Sequence, residues 1–230
     1  MKNIAKTIRQ RMTDEGKPEK AKWLEQYVKH GVKSRGTGIP EIRKILQEIE
    51  SEKSCSKKTL PEQVELLNDL MAGVYTEDKL AAILYLQLFW KDKYPEESLS
   101  LISAWFDQNF ITDWNVCDWL CVRVLTPLLD RWPGQTMTEL KCWNKAQNLW
   151  KARASLVPFA QSRYLAKHRR PVQLLAEELI KRKERFCKTA VGWVLREYSK
   201  IDRDFVRKFL STHEQYITRE VVKNATKYFR

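Results

Sequence analysis

Apolar side chains recur every three or four residues along almost the whole chain, in short blocks separated by polar or proline-bearing links. That is the period of helices with one buried face. The first block predicts a helix over 2–14. The second predicts one over 18–30, entered through Lys17-Pro18 and carrying Trp23 and Tyr27. Pro40 opens the next helix after the loop Ser34-Arg35-Gly36-Thr37-Gly38, and Ile42, Ile45, Leu46 and Ile49 continue it. Residues 51–59 read as a polar connector. Helices over 60–72 and 77–91 follow, then a turn at 92–96 and a helix over 97–109. Asp113 is placed to cap a helix over 114–129. Arg131-Trp132-Pro133-Gly134 reads as a break. Beyond it the pattern predicts helices over 137–147, 150–166, 170–182 from near Pro171, 184–199, 202–210 and 214–229. No segment alternates long enough to form the core of a sheet.

Each of these dozen or so units is too short to bury its apolar face alone. Stacked antiparallel pairs would build one continuous core, so the expectation is an all-α fold. It would be an α-solenoid, a superhelix of helix pairs, forming a single domain over 1–230. Composition agrees, because 7 Gly and 8 Pro in 230 residues are too few for the many turns of a sheet-rich fold. A superhelix has a concave groove, and a groove lined with Lys and Arg could cradle a duplex.

Charge sharpens that expectation. The formal net charge is +13, yet residues 1–150 carry 22 basic and 21 acidic side chains. Residues 151–230 carry 20 and 8, so nearly all the excess lies in the last third. Basic residues spread along helices in this way suit a polyanion.

Other classes fall away. The longest apolar runs, such as Ala81 to Leu86, are far below a membrane span, and Met1 to Lys6 leads into no apolar targeting stretch. A soluble, cytoplasmic protein is expected. Five cysteines, an odd number in a chain of this size, suit reduced thiols. Cys117 and Cys121 share a helical spacing but have no His nearby, so no metal is expected. The dispersed His30, His168 and His213 argue against a nucleophilic triad, and no Gly-rich phosphate loop is present.

Four places could carry chemistry. Trp114, Cys117, Asp118 and Cys121 fall on one helix face. A carboxylate on a stripe with Cys121, Val124 and Leu125 must face a cleft or meet a cation, because an unpaired buried Asp is costly. Arg153, between the small Ala152 and Ala154 and near Lys151, could bind phosphate or be the structural partner of Asp118. Gly192 in mid-helix beside Trp193 points to close packing against a helix or a ligand. Lys167, Arg169 and Arg170 form a basic run that could touch backbone phosphates. Most of the nine tryptophans are expected in the core.

Three segments carry a resemblance. Asp113-Trp114-Asn115-Val116-Cys117-Asp118, Trp150-Lys151-Ala152-Arg153-Ala154 and Lys188-Thr189-Ala190-Val191-Gly192-Trp193-Val194-Leu195-Arg196-Glu197-Tyr198 are similar to signatures of one family. It is the AlkD-type DNA alkylation repair family, the HEAT-like-repeat alkylpurine DNA glycosylases. Motif order and length agree over nearly the whole chain. The resemblance implies a superhelix that grips duplex DNA and releases cationic N3- or N7-alkylated purines without flipping the base into a protein pocket. It implies Asp118 as catalytic carboxylate, with Trp114 and Trp193 against the lesion's deoxyribose and backbone. Arg153 resembles the cleft arginine, and Tyr27 an N-terminal aromatic that contacts DNA. No lyase lysine can be nominated, so base release without strand cleavage is expected, with no cofactor and by a monomer. One position departs: Gly38 stands where the family has glutamine. Two rival readings are a catalytically silent member binding damaged, bent or branched DNA, and a scaffold for another protein.

Overall fold

All eight prolines fall within the first three residues of a helical segment. Where a loop precedes them the missing N–H costs nothing and the fixed φ starts a helix; Pro127 is the exception, inside the continuous helical run 114–131. The prolines therefore punctuate the chain into short helices. The computed structural model describes residues 1–29, 31–91, 93 and 95–229. Among these the only pairing outside helices is an isolated bridge, Lys33 with Tyr75, so there is no sheet.

The chain divides into two units, Met1–Val124 and Leu125–Arg230. Unit 1 holds α1 (Lys2–Asp14), α2 (Pro18–Val28), α3 (Ile39–Lys53), α4 (Leu60–Met71), α5 (Thr76–Tyr85), α6 (Pro95–Asp107) and α7 (Trp114–Leu120). Helix α1 packs on α3 and α4, and α5 packs on α3, α4 and α7. Nine of the ten residues of α5 are buried, which makes it the centre of the stack. Unit 2 holds α8 (Thr126–Arg131), α9 (Pro133–Asn144), α10 (Leu149–Ala154), α11 (Arg169–Lys181), α12 (Arg185–Tyr198), α13 (Arg203–Thr212) and α14 (Arg219–Ala225). Here α12 is central, packed by α10, α11, α13 and α14. Both units are stacks of helix pairs, as the periodicity predicts. No helix of the described residues is long and apolar enough to cross a membrane.

Several boundaries differ from the sequence pattern, each for a local reason. The run expected over 114–129 is helical but widens into a π-turn at Cys121–Leu125. Pro127 follows directly, and a wider turn relieves the clash of its ring with the carbonyl four residues back. A second π-turn, Leu86–Trp90, ends the run expected over 77–91. That turn aligns residues five apart, so the Tyr85 hydroxyl and Trp90 indole both donate to Gln63 Oε1, at 3.1 and 2.7 Å. The break at 131–134 narrows to Trp132, because Pro133 starts α9 four residues early. The helix expected over 150–166 stops at Ala154. Pro158 cannot continue it, and 3-10 turns at Val157–Gln161 and Leu165–His168 take its place. The polar connector is shorter than expected: α3 runs to Lys53, and Cys55 is buried in a 3-10 turn. The last helix begins only at Arg219, capped by the Thr218 hydroxyl. The expected end of the second helix at His30 and part of the turn at 92–96 lie outside the described residues.

Gly192 behaves as its sequence context suggests. A Cβ there would stand 3.3 Å from Asn224 Cβ and 3.4 Å from Val221 Cα, so the missing side chain lets α14 close onto α12. The tryptophans do not behave as expected. Only Trp90, Trp105, Trp143 and Trp150 are buried, and Trp23 is 60% exposed.

Candidate functional site

In unit 1 the site is built on α7. Asp113 stands at its N-cap, where its carboxylate accepts the Val116 N–H at 2.9 Å and fixes where the helix starts. Trp114 is then the first helical residue and Asp118 follows one turn later on the same side. Val116, Cys117 and Leu120 are the buried residues of α7, and Cys121, Val124 and Leu125 are also buried. Asp118 itself is half-exposed, like Trp114, whereas Cys117 and Cys121 on the same stripe are buried. Tyr27 from α2 meets Trp114 edge to face, with ring centroids 5.3 Å apart. The structure thus brings three of the expected site residues, Tyr27, Trp114 and Asp118, onto one face of unit 1.

The ground under α2 is a polar network. The Glu77 carboxylate is buried beneath the 34–36 loop, accepting from the Ser34 hydroxyl at 2.6 Å and from the Gly36 and Arg35 N–H groups at 3.0 Å. Arg35 in turn donates to Asp78 at 2.9 Å. Burial pushes the Asp78 carboxyl above its ordinary value, against the pull of Arg35 and Arg9. Gly36 has φ +78° and approaches Lys17 so closely that a Cβ would lie 2.0 Å from its carbonyl oxygen. This anchored loop forms one wall of a cleft of about 430 Å³ whose other walls include Trp23, Tyr27, Asn115 and Trp119.

In unit 2 the expected residues fall in two groups. Arg153 is 5% exposed, and its Nη1 donates to the Phe186 carbonyl at 2.6 Å and the Thr189 hydroxyl at 3.1 Å. It therefore ties α10 to the first turns of α12, the helix that carries Trp193. Neither sequence reading of Arg153 contained that anchor. Trp193 is half-buried, with Arg196 over its ring at 6.0 Å and its indole N–H without a partner. Asn148 caps α10 by accepting from the Trp150 and Lys151 N–H groups, which sets Lys151 two residues before Arg153.

The second group is the basic run. Lys167, Arg169 and Arg170 are exposed. Arg169 pairs with Asp202 at 3.2 Å and lies over Phe205, while Lys167 and Arg163 flank the exposed ring of Tyr164. Unit 2 as a whole carries 23 basic and 10 acidic side chains, a net of +13, whereas unit 1 carries 19 of each.

The family described as DNA alkylation repair enzyme matches residues 8–229. The chain belongs to that family. A solved structure, a predicted DNA alkylation repair enzyme from Enterococcus faecalis, is similar to it with a TM-score of 0.73. The match covers 93% of this chain and 96% of that one at 20% identity, a likeness of fold. The stacked pairs are those of a HEAT-like repeat. No curated protein matches the chain.

Within the family frame, the departure at Gly38 acquires a structural setting. Gly38 is the residue before α3 and lines the cleft beside Trp23. A Cβ at this position would stand 2.2 Å from Glu41 Oε2, itself buried without a hydrogen-bond partner. A glutamine here would require Glu41 to swing away. Sequence reasoning missed Trp23 and Asn115 as candidate residues. The signal was present in α2: Trp23 and Tyr27 are one turn apart on a helix that buries only Val28.

Proposed function

We propose that the protein is a monofunctional DNA glycosylase that hydrolyses the N-glycosidic bond of cationic N3- or N7-alkylated purines in duplex DNA. The observation that carries the reading is Asp118, half-exposed one turn from Trp114 on a capped helix, in a chain of the DNA alkylation repair family. An alkylated purine is already cationic, so it departs with the bond's electron pair and needs no general acid. The barrier is the positive charge that develops on the sugar. Asp118 supplies the opposing charge and orients the water that adds to the anomeric carbon, whose spare proton passes to solvent. Placed charge of this kind is commonly the largest catalytic contribution.

Trp114 and Trp193 lie against the deoxyribose and backbone of the lesion nucleotide, adding cation–π attraction and excluding water. Arg153 and Tyr27 contact the DNA strand, while Lys151, Lys167, Arg169 and Arg170 neutralise phosphates. No lyase step is involved, so the strand stays intact. Single-turnover release of N7-methylguanine from duplex DNA, by the wild-type protein and by Asp118→Asn, tests the reading. Release that depends on Asp118 is expected. A wild-type protein that binds the duplex but releases no base would leave a silent DNA binder.

A further inference from the structure

Helix α2 presents Tyr27 to Trp114, yet little of its own surface holds it there. Of its eleven residues only Val28 is buried, while Trp23 and Tyr27 stand largely in water. A short helix with so small a buried face is not fixed by apolar packing. Its place comes from polar contacts, and these converge on one loop.

The loop 34–36 reaches α2 near both of its ends. Towards the C-terminal end, the Ser34 N–H donates to Glu25 Oε1 at 2.9 Å. At the start, Gly36 lies so close to the first turn that a Cβ would stand 2.0 Å from the Lys17 carbonyl oxygen and 2.8 Å from the Ala21 nitrogen. The Ser34 hydroxyl accepts the Gly36 N–H at 3.0 Å and closes the turn. The loop in turn is held from below by Glu77 of α5, a side chain 1% exposed. One oxygen of its carboxylate accepts the Ser34 hydroxyl and the Gly36 N–H, and the other accepts the Arg35 N–H. Helix α5 also packs on α7, which carries Trp114 and Asp118. A continuous polar path therefore runs from the helix that supports α7, through Glu77, the loop and Glu25, to the helix that carries Tyr27.

We infer that Glu77 and Glu25 are positioning residues for DNA binding. Through the 34–36 loop they strap α2 to α5, so that Tyr27 stays against Trp114 and meets the strand already in place. Neither carboxylate touches DNA in this role. The inference rests on the proposed reading of Tyr27 as a strand contact. The sign of one effect separates it from simple electrostatics. A carboxylate near a polyanion opposes binding, so loss of the Glu25 charge alone should tighten the complex.

The test compares Glu25→Ala, which removes acceptor and charge, with Glu25→Gln, which removes the charge and keeps an acceptor oxygen. Alanine is the better helix former, so α2 itself is not weakened. Glu25 is exposed, so both variants should fold, as circular dichroism would check. Affinity is measured on undamaged duplex. Glu25→Ala should weaken it about two- to tenfold, the usual worth of one hydrogen bond, while Glu25→Gln should bind as wild type or slightly tighter. Glu77→Gln sets an amide N–H against the Arg35 N–H and should weaken binding at least as much as Glu25→Ala. Hydrogen exchange of the α2 amides in the free protein should quicken in the two weakened variants and not in Glu25→Gln. In a Tyr27→Ala background the Glu25→Ala loss should vanish, because the strap acts through that ring. Equal losses for Glu25→Ala and Glu25→Gln, full additivity with Tyr27→Ala, or faster exchange with unchanged affinity would each overturn the positioning role. The wild type reports on function separately. Binding without base release removes the glycosylase reading and leaves the strap. Base release with Glu25→Ala at wild-type affinity and exchange does the reverse.

Discussion

Unit 1 and unit 2 are built from the same material, short helices, about half of them opened by a proline, stacked around one central helix, yet they differ in charge. Unit 1 has net charge zero and carries the carboxylate and the two most exposed aromatic rings, Trp23 and Tyr27. Unit 2 carries the whole +13 and buries its one candidate cleft cation, Arg153. Affinity for a polyanion grows with the number of phosphates met, so many dispersed cations serve it. Catalysis needs one charge in one place, and one well-capped helix serves that. On the proposed function, most of the grip would come from unit 2 and the catalytic carboxylate from unit 1, and that division can be tested at several sizes of effect.

The largest effect is on affinity. If unit 2 supplies the grip, binding of undamaged duplex should fall steeply with salt. A footprint of about six phosphates would lose about a thousandfold between roughly 50 and 200 mM. Lys167→Ala and Arg170→Ala should each lower the log–log slope by about 0.9, whereas Lys6→Ala in unit 1 should leave it unchanged. A flat salt response, or a slope that moves equally for unit 1 lysines, would break the division.

Next comes the rate. Asp118→Asn keeps size and place but removes the charge. Release of N7-alkylguanine should therefore fall about 10²- to 10³-fold while duplex affinity holds or tightens slightly. Loss of affinity without loss of rate would put Asp118 on the gripping side of the comparison.

How much of this could be read from the sequence depends on the range of the interactions. The succession of helices, the Asp113 cap and the tight packing at Gly192 stand where the pattern puts them, although several helix ends do not. The π-turn before Pro127 and the loss of helix after Ala154 also have local causes, but periodicity alone is blind to them. Burial is set by distant neighbours. Trp105 and Trp23 look alike in sequence, yet one is fully buried and hydrogen-bonded to Asn68 while the other stands in water. The anchor from Arg153 to Phe186 and Thr189 spans more than thirty residues and involves a carbonyl, which every residue possesses. No motif could reveal it.

That anchor makes the third test. Arg153→Ala should lower affinity and rate together, because a strand contact is felt in both ground and transition states. It should also destabilise the fold by roughly 1 kcal/mol, since the part-buried Phe186 carbonyl loses a charged donor and keeps the Thr189 hydroxyl. Urea unfolding measures the second effect. Arg153→Ala with normal stability would mean that the α10–α12 tie is dispensable and the residue serves DNA alone.

The smallest effect belongs to unit 2 and tests whether its basic run is purely surface. His168 lies inside that run, but its Nε2 is buried without a hydrogen-bond partner and its ring meets Phe159 edge to face at 5.4 Å. Burial holds its pKa below the ordinary 6.5, assisted by the charge of Lys167 and opposed by that of Asp130. The sign follows from linkage. As pH falls through 6.5 the unfolded chain takes up a proton that the folded chain still refuses, so stability declines; the loss is complete once the folded pKa is passed. Thermal unfolding between about pH 7.5 and 5.5 should show a modest fall in Tm, in a window above most carboxylate titration. His168→Leu, which leaves no nitrogen to bury, should flatten that fall and match or exceed the wild type at the upper end. An unchanged slope in His168→Leu would show that the imidazole is solvated in solution and that the run is all surface.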